Sequence, residues 1–211
     1  MATSGGAIAQ RPMTDSSKIA KTTLRFAIRE RLSKVSMENR ANRAANACQI
    51  LIGQPRWKEA RFVLLYAPLR DELNVDQLLK IALESGKILA LPRYSTSTSR
   101  YDAAEVRDLE EDLRPGRFAV REPGPTCRAM PLNRLDFILV PGVAFTLDGR
   151  RLGRGKGHYD MLLANSKSFR CGVAFDQQIV EDLPTEAHDI RLDCILTPTR
   201  WCPVDPRAVL K

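Results

Sequence analysis

The sequence contains few of the residues from which metal centres and disulfide frameworks are built. Its 211 residues include 2 histidines and 5 cysteines. The cysteines, at positions 48, 127, 171, 194 and 202, are odd in number and never spaced Cys-x-x-Cys. We therefore expect neither a zinc site nor a disulfide framework, and cytoplasmic localisation fits this cysteine usage best.

Long apolar runs are also missing. No stretch approaches the roughly 20 residues that a membrane-spanning helix needs, so no membrane partner is expected. The first residues, MATSGGAIAQRPMTDSSK, lack the apolar core of a secretory signal. We predict a disordered tail over residues 1–17, with a short organelle-targeting peptide as the alternative. A single domain over residues 18–211 would follow, as the chain length allows.

Aromatic residues make up only 6% of a chain whose net charge is +8. A strongly basic balance indicates an anionic partner, either nucleic acid or a polyanionic small molecule. Single-stranded RNA is usually bound by aromatic side chains on a basic surface. The scarcity of aromatic residues therefore favours a small molecule, and we expect a monomer with no nucleic-acid partner.

Short apolar runs that end in proline or glycine alternate with helical patterns. Apolar residues recur at helical spacing between residues 18 and 35, and Ser36 can cap a second helix. NVDQLLKIALESG has the pattern of a further helix. Buried strands are predicted at RFVLLYAP, KILALP, LDFILVP, RCGVAF and DCILTP, and a loop or weak edge hairpin at residues 95–112. This alternation predicts a single-domain, three-layer α/β/α fold with a largely parallel central sheet.

The segment DGRRLGRGKGHYD (Asp148–Asp160) follows the most apolar predicted strand and contains four glycines, three arginines and a lysine. Glycines at 153, 155 and 157 can adopt positive φ angles, which would turn successive N–H groups inward around an anion. The helix that follows would add its positive end. The segment lacks the Ser or Thr of a Walker A loop and the third glycine of a Rossmann motif. It therefore predicts a phosphate site of another kind, with a solvated basic loop as the alternative.

The longer stretch PGVAFTLDGRRLGRGKGHYD resembles the signature of the 5-formyltetrahydrofolate cyclo-ligase family. KTTLR, LRDELNVDQLL, LPRY, FAVREP and HDIRLDCILTPTRW resemble other family segments in the same order, so the resemblance spans residues 18–201. It implies a ligase that uses ATP and Mg²⁺ to convert 5-formyltetrahydrofolate, with or without a polyglutamate tail, to 5,10-methenyltetrahydrofolate, ADP and phosphate. The alternatives are a non-catalytic nucleotide- or RNA-binding relative and another ATP-using or sugar-phosphate enzyme on this scaffold.

The resemblance also implies roles for individual residues. ATP would be contacted by Lys21, Thr22, Thr23, Leu24, Arg25, Arg151, Leu152, Gly153, Arg154, Gly155, Lys156, Gly157, His158 and Tyr159. The folate would be contacted by Ala67, Glu72, Arg93, Tyr94, Phe118, Gly155, Lys156, Gly157 and His158. Asp160 and Asp189 would hold Mg²⁺, and Arg154, Lys156 and Tyr159 would assist the chemistry. The family commonly has an aromatic residue where this chain has His158, so the role of His158 is open.

Several of these residues have a structural alternative. Asp160 would also be favoured as an acid in the first turn of a helix. Asp189 is close enough in sequence to pair with Arg191, Glu72 is placed to cap the next helix, and Phe118 is of a type usually found in the core.

Overall fold

The computed structural model describes residues 15–116, 120–186 and 189–205. The α-helices of this part of the chain are α1 (Asp15–Ser33), α2 (Met37–Gly53), α3 (Pro55–Glu59), α4 (Asp76–Glu84) and α5 (His158–Ala164). Its strands are β1 (Phe62–Leu64), β2 (Ile88–Ser95), β3 (Arg100–Val106), β4 (Leu113–Pro115), β5 (Arg121–Pro123), β6 (Ala129–Met130), β7 (Phe137–Val140), β8 (Ala144–Phe145), β9 (Arg151–Leu152), β10 (Phe169–Val173), β11 (Cys194–Leu196) and β12 (Trp201–Pro203).

Eight of these strands form the central sheet, in the order β12-β11-β10-β7-β1-β2-β3-β6. The five strands from β11 to β2 run parallel to one another. Strands β12, β3 and β6 are antiparallel to their neighbours. β4 pairs with β5 and β8 with β9 in two separate hairpins. The predicted largely parallel sheet is confirmed, with antiparallel strands added at both edges.

Side chains of the central strands alternate between two apolar cores. Val63 and Leu65 pack in the core that also contains residues of α1, α2, α3 and α4. Leu64 lies in the second core, together with Leu162 and Leu163 of α5. Because successive strand residues point to opposite faces, a sheet that is covered on both faces shows this continuous burial. The three-layer α/β/α arrangement is therefore confirmed.

The helix ends follow local capping chemistry. The Ser36 hydroxyl accepts a hydrogen bond from the Asn39 N–H at 3.3 Å and caps α2, as predicted. The Asn74 side chain accepts from the Asp76 N–H at 2.8 Å just before α4. Helix α1 begins at Asp15, three residues before the predicted domain boundary at residue 18. Residues 1–14 lie outside the described part, and the disordered tail stays a prediction.

The polar segment at residues 95–112, predicted to be a loop or weak edge hairpin, contains a regular hairpin. β2 and β3 pair from Leu89–Val106 to Ser95–Arg100. The serines and threonines that suggested a loop form the turn between the two strands. Because β6 pairs with the far side of β3, this hairpin is not at the edge of the sheet.

Two further observations concern the described residues. None of their helices is both long and apolar enough to cross a membrane. All five cysteines are free thiols, and four of them are buried.

Candidate functional site

A cavity of about 780 Å³ opens at the carboxyl edge of the parallel strands, where ligands bind in open α/β sheets. Many of the predicted site residues line it: Lys21, Thr22, Arg25, Ala67, Glu72, Arg151, Leu152, Gly153, Arg154, Gly155, Lys156, Gly157, His158, Tyr159, Asp160 and Asp189. Thr23, Leu24, Arg93 and Tyr94 are not among the lining residues. Phe118 lies outside the described residues. The fold therefore brings four segments that are distant in sequence to one cavity: residues 21–25, 67–72 and 151–160, and Asp189.

Two of the three glycines predicted to adopt positive φ angles in the glycine loop between β9 and α5 do so. Gly155 has φ +97° and Gly157 has φ +64°, values that side-chain-bearing residues rarely adopt. Gly157 is the residue that caps the start of α5. Gly153 does not take a positive φ, and its carbonyl accepts a hydrogen bond from Arg25 Nε at 3.0 Å. The loop is thus joined to α1 through an arginine that was itself predicted to bind ATP.

Basic side chains converge on this loop. Lys21, only 8% exposed, lies with its Nζ 2.8 Å from Glu186 Oε1 and 3.9 Å from Asp189 Oδ2. Arg151 is nearly buried, and its Nη2 donates to Asp160 Oδ1 at 2.8 Å. Burial, and then repulsion by Arg29, lowers the pKa of the Arg25 guanidinium. A bound anion would relieve both effects, because it supplies the opposite charge inside a poorly solvated site.

Arg154 connects the glycine loop to the acid predicted to bind the substrate. Its Nη2 lies 2.6 Å from Asp71 Oδ1, and both its Nε and Nη2 lie 3.2 Å from Glu72 Oε1. Burial raises the pKa of Glu72, opposed by the Leu69 N–H and by Arg154. Burial also acts on Asp71, but Arg154 outweighs it and lowers the pKa of that carboxyl. Arg154, which was predicted to contact phosphate, therefore forms an ion pair with Glu72, which was predicted to bind the pterin. The sequence did not predict this contact.

Asp160 and Asp189, the predicted magnesium ligands, both line the cavity. Asp189 Oδ2 accepts the Glu186 N–H at 2.8 Å. Arg191, its expected partner in the structural alternative, instead lies 3.3 Å from Asp148 Oδ2. No group of three or more His, Cys, Asp or Glu residues in the described ranges is arranged to hold a metal ion. Two carboxylates nevertheless fit Mg²⁺, since this ion usually completes its shell with phosphate oxygens and water.

Six further polar residues of the described chain line the cavity without having been predicted as site residues: Lys18, Tyr66, Tyr101, Arg121, Glu122 and Glu186. Glu122 lay inside the quoted segment FAVREP, but nothing in that segment distinguished a cavity acid from a surface one. The Tyr101 ring centroid lies 5.0 Å from that of His158 and 5.4 Å from that of Tyr94, edge to face. The His158 ring therefore lies among aromatic side chains. The family that the sequence resembles commonly has an aromatic residue at this position, which would fit the same surroundings.

Arg93 and Tyr94 have contacts beside the cavity. Arg93 Nη1 donates to the carbonyls of Gly124 and Cys127, at 3.0 and 2.9 Å, and so fastens the loop after β5. The Tyr94 N–H donates to Glu122 Oε2 at 3.0 Å. The predicted substrate contacts of these two residues remain predictions that the lining of the cavity does not support.

Known proteins resemble the chain over most of its length. The profile of the 5-formyltetrahydrofolate cyclo-ligase family matches residues 17–198. The 5-formyltetrahydrofolate cyclo-ligase of Mus musculus is 30% identical, across 84% of this chain and 93% of the relative. The NMR structure of Aquifex aeolicus 5,10-methenyltetrahydrofolate synthetase superposes with a TM-score of 0.79 at 33% identity, covering 87% of this chain and 92% of that one. The Mycoplasma pneumoniae 5,10-methenyltetrahydrofolate synthetase shares the fold, with a TM-score of 0.68 at 21% identity, covering 84% of this chain and 98% of that one.

Proposed function

The chain belongs to the 5-formyltetrahydrofolate cyclo-ligase family, and from this premise we propose that it converts 5-formyltetrahydrofolate to 5,10-methenyltetrahydrofolate. The reaction would consume ATP with Mg²⁺ and release ADP and phosphate. The formyl oxygen attacks the γ-phosphorus of ATP, N10 then attacks the activated formyl carbon, and phosphate departs. No covalent intermediate with a side chain is needed, so positioning and charge stabilisation carry the catalysis.

The observation that carries this proposal is a single cavity with a cationic glycine loop on one side and a buried carboxylate on another. The loop would supply backbone N–H groups and basic side chains for a triphosphate, and the positive φ angles of Gly155 and Gly157 support this role. Glu72 supplies an acceptor for the N–H and amino edge of a pterin, which a carboxylate can bind through paired hydrogen bonds. Both ligands of the proposed reaction therefore have chemically matched groups within one cavity.

On the phosphate side, Lys21 and Arg25 lie one turn apart on α1 and both line the cavity, and Arg25 also donates to the Gly153 carbonyl of the loop. Together with the loop from Arg151 to Tyr159, they would hold the triphosphate. Arg154 and Lys156 would stabilise charge on the transferring phosphoryl group. Losing one such cation would raise the barrier by about 3 kcal/mol. Asp160 and Asp189 would hold Mg²⁺, which neutralises phosphate charge when it is bound.

On the folate side, Glu72 would bind the pterin edge while Ala67 shapes the adjoining wall. Glu72 cannot keep both Arg154 and the pterin on Oε1, so substrate would displace the arginine from that oxygen. Arg154 would then turn toward the phosphates of ATP. Tyr159 at the start of α5 lies under the Arg151 guanidinium, 5.7 Å from the ring centroid. It would keep this arginine and the loop in place.

We assign catalysis to one domain, residues 18–211, which the match to the family profile over residues 17–198 supports. A cytoplasmic monomer that acts on folate with or without a polyglutamate tail remains our expectation. The alternative of an RNA-binding relative is disfavoured because seven basic side chains of the described residues line one cavity and aromatic residues make up only 6% of the chain. Steep salt dependence of RNA binding, with no ATP binding, would revive it.

The proposal is tested by incubating the purified chain with 5-formyltetrahydrofolate, ATP and Mg²⁺ and recording the absorbance of the methenyl product. We expect product only when all three are present, with one ADP formed for each methenyl group. Omitting each component in turn provides the controls. If ATP and folate both bind and no product forms, the catalytic assignment fails.

A further inference from the structure

One of the carboxylates in the cavity differs from the others in its partners. Five acids line the cavity: Glu72, Glu122, Asp160, Glu186 and Asp189. Four of them lie within ion-pair distance of Arg154, Arg151 or Lys21. The described contacts of Glu122 are instead with neutral donors, the Tyr94 N–H at 3.0 Å and the Tyr101 hydroxyl at 3.3 Å.

Glu122 is also held in a fixed and poorly solvated position. It is 7% exposed and belongs to β5, which packs against β2. A Cβ atom placed on Gly116 would lie 2.6 Å from the Glu122 Cδ, so the backbone of the preceding strand end closes off one side of the carboxylate. In the described part of the chain this carboxylate is satisfied by hydrogen-bond donors and not by an ion pair, so it can pair with a positive charge that develops in the cavity. The arrangement therefore suits a group that meets positive charge during the reaction.

The proposed ring closure generates such a charge. N10 carries one hydrogen, and its attack on the phosphorylated formyl carbon forms the new C–N bond and makes N10 cationic. We propose that Glu122 is a catalytic base and that its Oε1 accepts this proton. The C–O bond to the phosphoryl group then breaks, its electron pair leaves with phosphate, and the methenyl cation remains. This inference rests on the proposed function of the same cavity.

The other acids are less suited to this step. Glu72 accepts from the Leu69 N–H on one oxygen and from Arg154 on the other. Asp160, Glu186 and Asp189 lie against the cations of the proposed phosphate site, and protonation would weaken those ion pairs. The hydrogen bond from Tyr101 to Glu122 Oε1 is long at 3.3 Å, so this oxygen can accept a further hydrogen.

The variant that tests the inference is Glu122→Gln. Its amide oxygen can still accept the Tyr94 N–H, but the side chain can no longer take up a proton. General-base catalysis typically contributes about 10²–10⁴-fold, so we expect kcat for methenyl formation to fall by at least about 100-fold. The dissociation constants for 5-formyltetrahydrofolate and for ATP should stay unchanged. Glu105→Gln is the matched control, because Glu105 lies on β3 and pairs with the exposed Arg107; it should retain the wild-type kcat.

A second measurement separates ring closure from phosphoryl transfer. With ATP labelled by ¹⁸O at the β,γ-bridge, reversible phosphorylation of the formyl oxygen moves the label into non-bridging positions. We expect Glu122→Gln to scramble the label at or above the wild-type rate while methenyl formation is lost. An equal loss of scrambling and product, or a wild-type kcat, would overturn the role of Glu122. If the wild type itself makes no product, the proposed function fails instead.

Discussion

Substitution of Glu72 tests most sharply the proposal that folate and ATP bind on different sides of the cavity. The Glu72 side chain is 9% exposed, and the proposal gives it the pterin edge. Replacing it with glutamine keeps the size but removes the charge and one acceptor. A hydrogen bond to a charged group contributes about 1.5–3 kcal/mol, which corresponds to roughly a 10–150-fold loss of affinity. We expect the Kd for 5-formyltetrahydrofolate to rise by that factor and the Kd for ATP to remain unchanged.

Arg154 modifies this expectation in a way that the structure makes explicit. In the proposed arrangement, substrate would displace Arg154 from Glu72 Oε1 in wild type, and Glu72→Gln would lower the free-energy cost of that displacement. Asp71 still holds Arg154 at 2.6 Å in that variant, so the relief is partial and the net effect remains a loss of folate affinity. Asp71→Asn is the matched control: it removes the shorter of the two contacts and leaves Glu72 intact. Its folate affinity should equal or exceed that of wild type.

The assay is isothermal titration of each variant, separately with 5-formyltetrahydrofolate and with a non-hydrolysable ATP analogue in Mg²⁺. Circular dichroism and thermal melting check that each variant is folded. Unchanged folate affinity in Glu72→Gln would refute the role of this residue in the pterin site. Equal weakening of both ligands in a folded variant would refute the division of the cavity into two sides.

Three further predictions concern the loop, the metal and pH. Gly155→Ala places a side chain at φ +97°, which costs about 1–3 kcal/mol of backbone strain. We expect the affinity for ATP, measured by titration, to fall, and an unchanged Kd would argue against binding of the triphosphate by the loop backbone. Asp189→Asn should raise the Mg²⁺ concentration needed for tight ATP binding, measured by titration of Mg²⁺ at fixed ATP; a superimposable curve would remove Asp189 from the metal site. Because burial raises the pKa of Glu72 above its ordinary 4.5, the native state binds this proton more tightly than the unfolded chain, and wild type loses stability as pH rises through that interval. The unfolding free energy of Glu72→Gln, measured in urea, should therefore increase relative to that of wild type as the pH rises above 4.5. A difference between the two unfolding free energies that does not change with pH would contradict this prediction.

The elements that the sequence predicted well are those whose pattern is local. The buried strands at residues 62–64 and 137–140 and the cap at Ser36 follow from apolar runs and from one hydroxyl before a helix. The β2–β3 pairing was predicted only as a loop or a weak edge hairpin, because its turn is rich in serine and threonine and because β3 carries charged residues on both faces. The order of the strands in the sheet could not be predicted from the residue pattern either. β12 and β6 pair antiparallel at opposite edges of the sheet, and no local sequence signal specifies their partners.

The same distinction applies to the site. The positive φ angles of Gly155 and Gly157 were predictable, because glycine is the residue that adopts them without strain. The contact between Arg154 and Glu72 joins residues that are 82 positions apart, and only the fold brings them together. Glu122 was indistinguishable from a surface acid until the packing of β5 against β2 placed it in the cavity.

The central claim is that the loop and the acids of one cavity bring the formyl oxygen to the γ-phosphorus of ATP. It is tested most directly by supplying 5-formyltetrahydrofolate labelled with ¹⁸O in the formyl group, together with ATP and Mg²⁺, and analysing the released phosphate by mass spectrometry. We predict one ¹⁸O atom in each phosphate formed with a methenyl group. Unlabelled phosphate accompanying methenyl formation would contradict it.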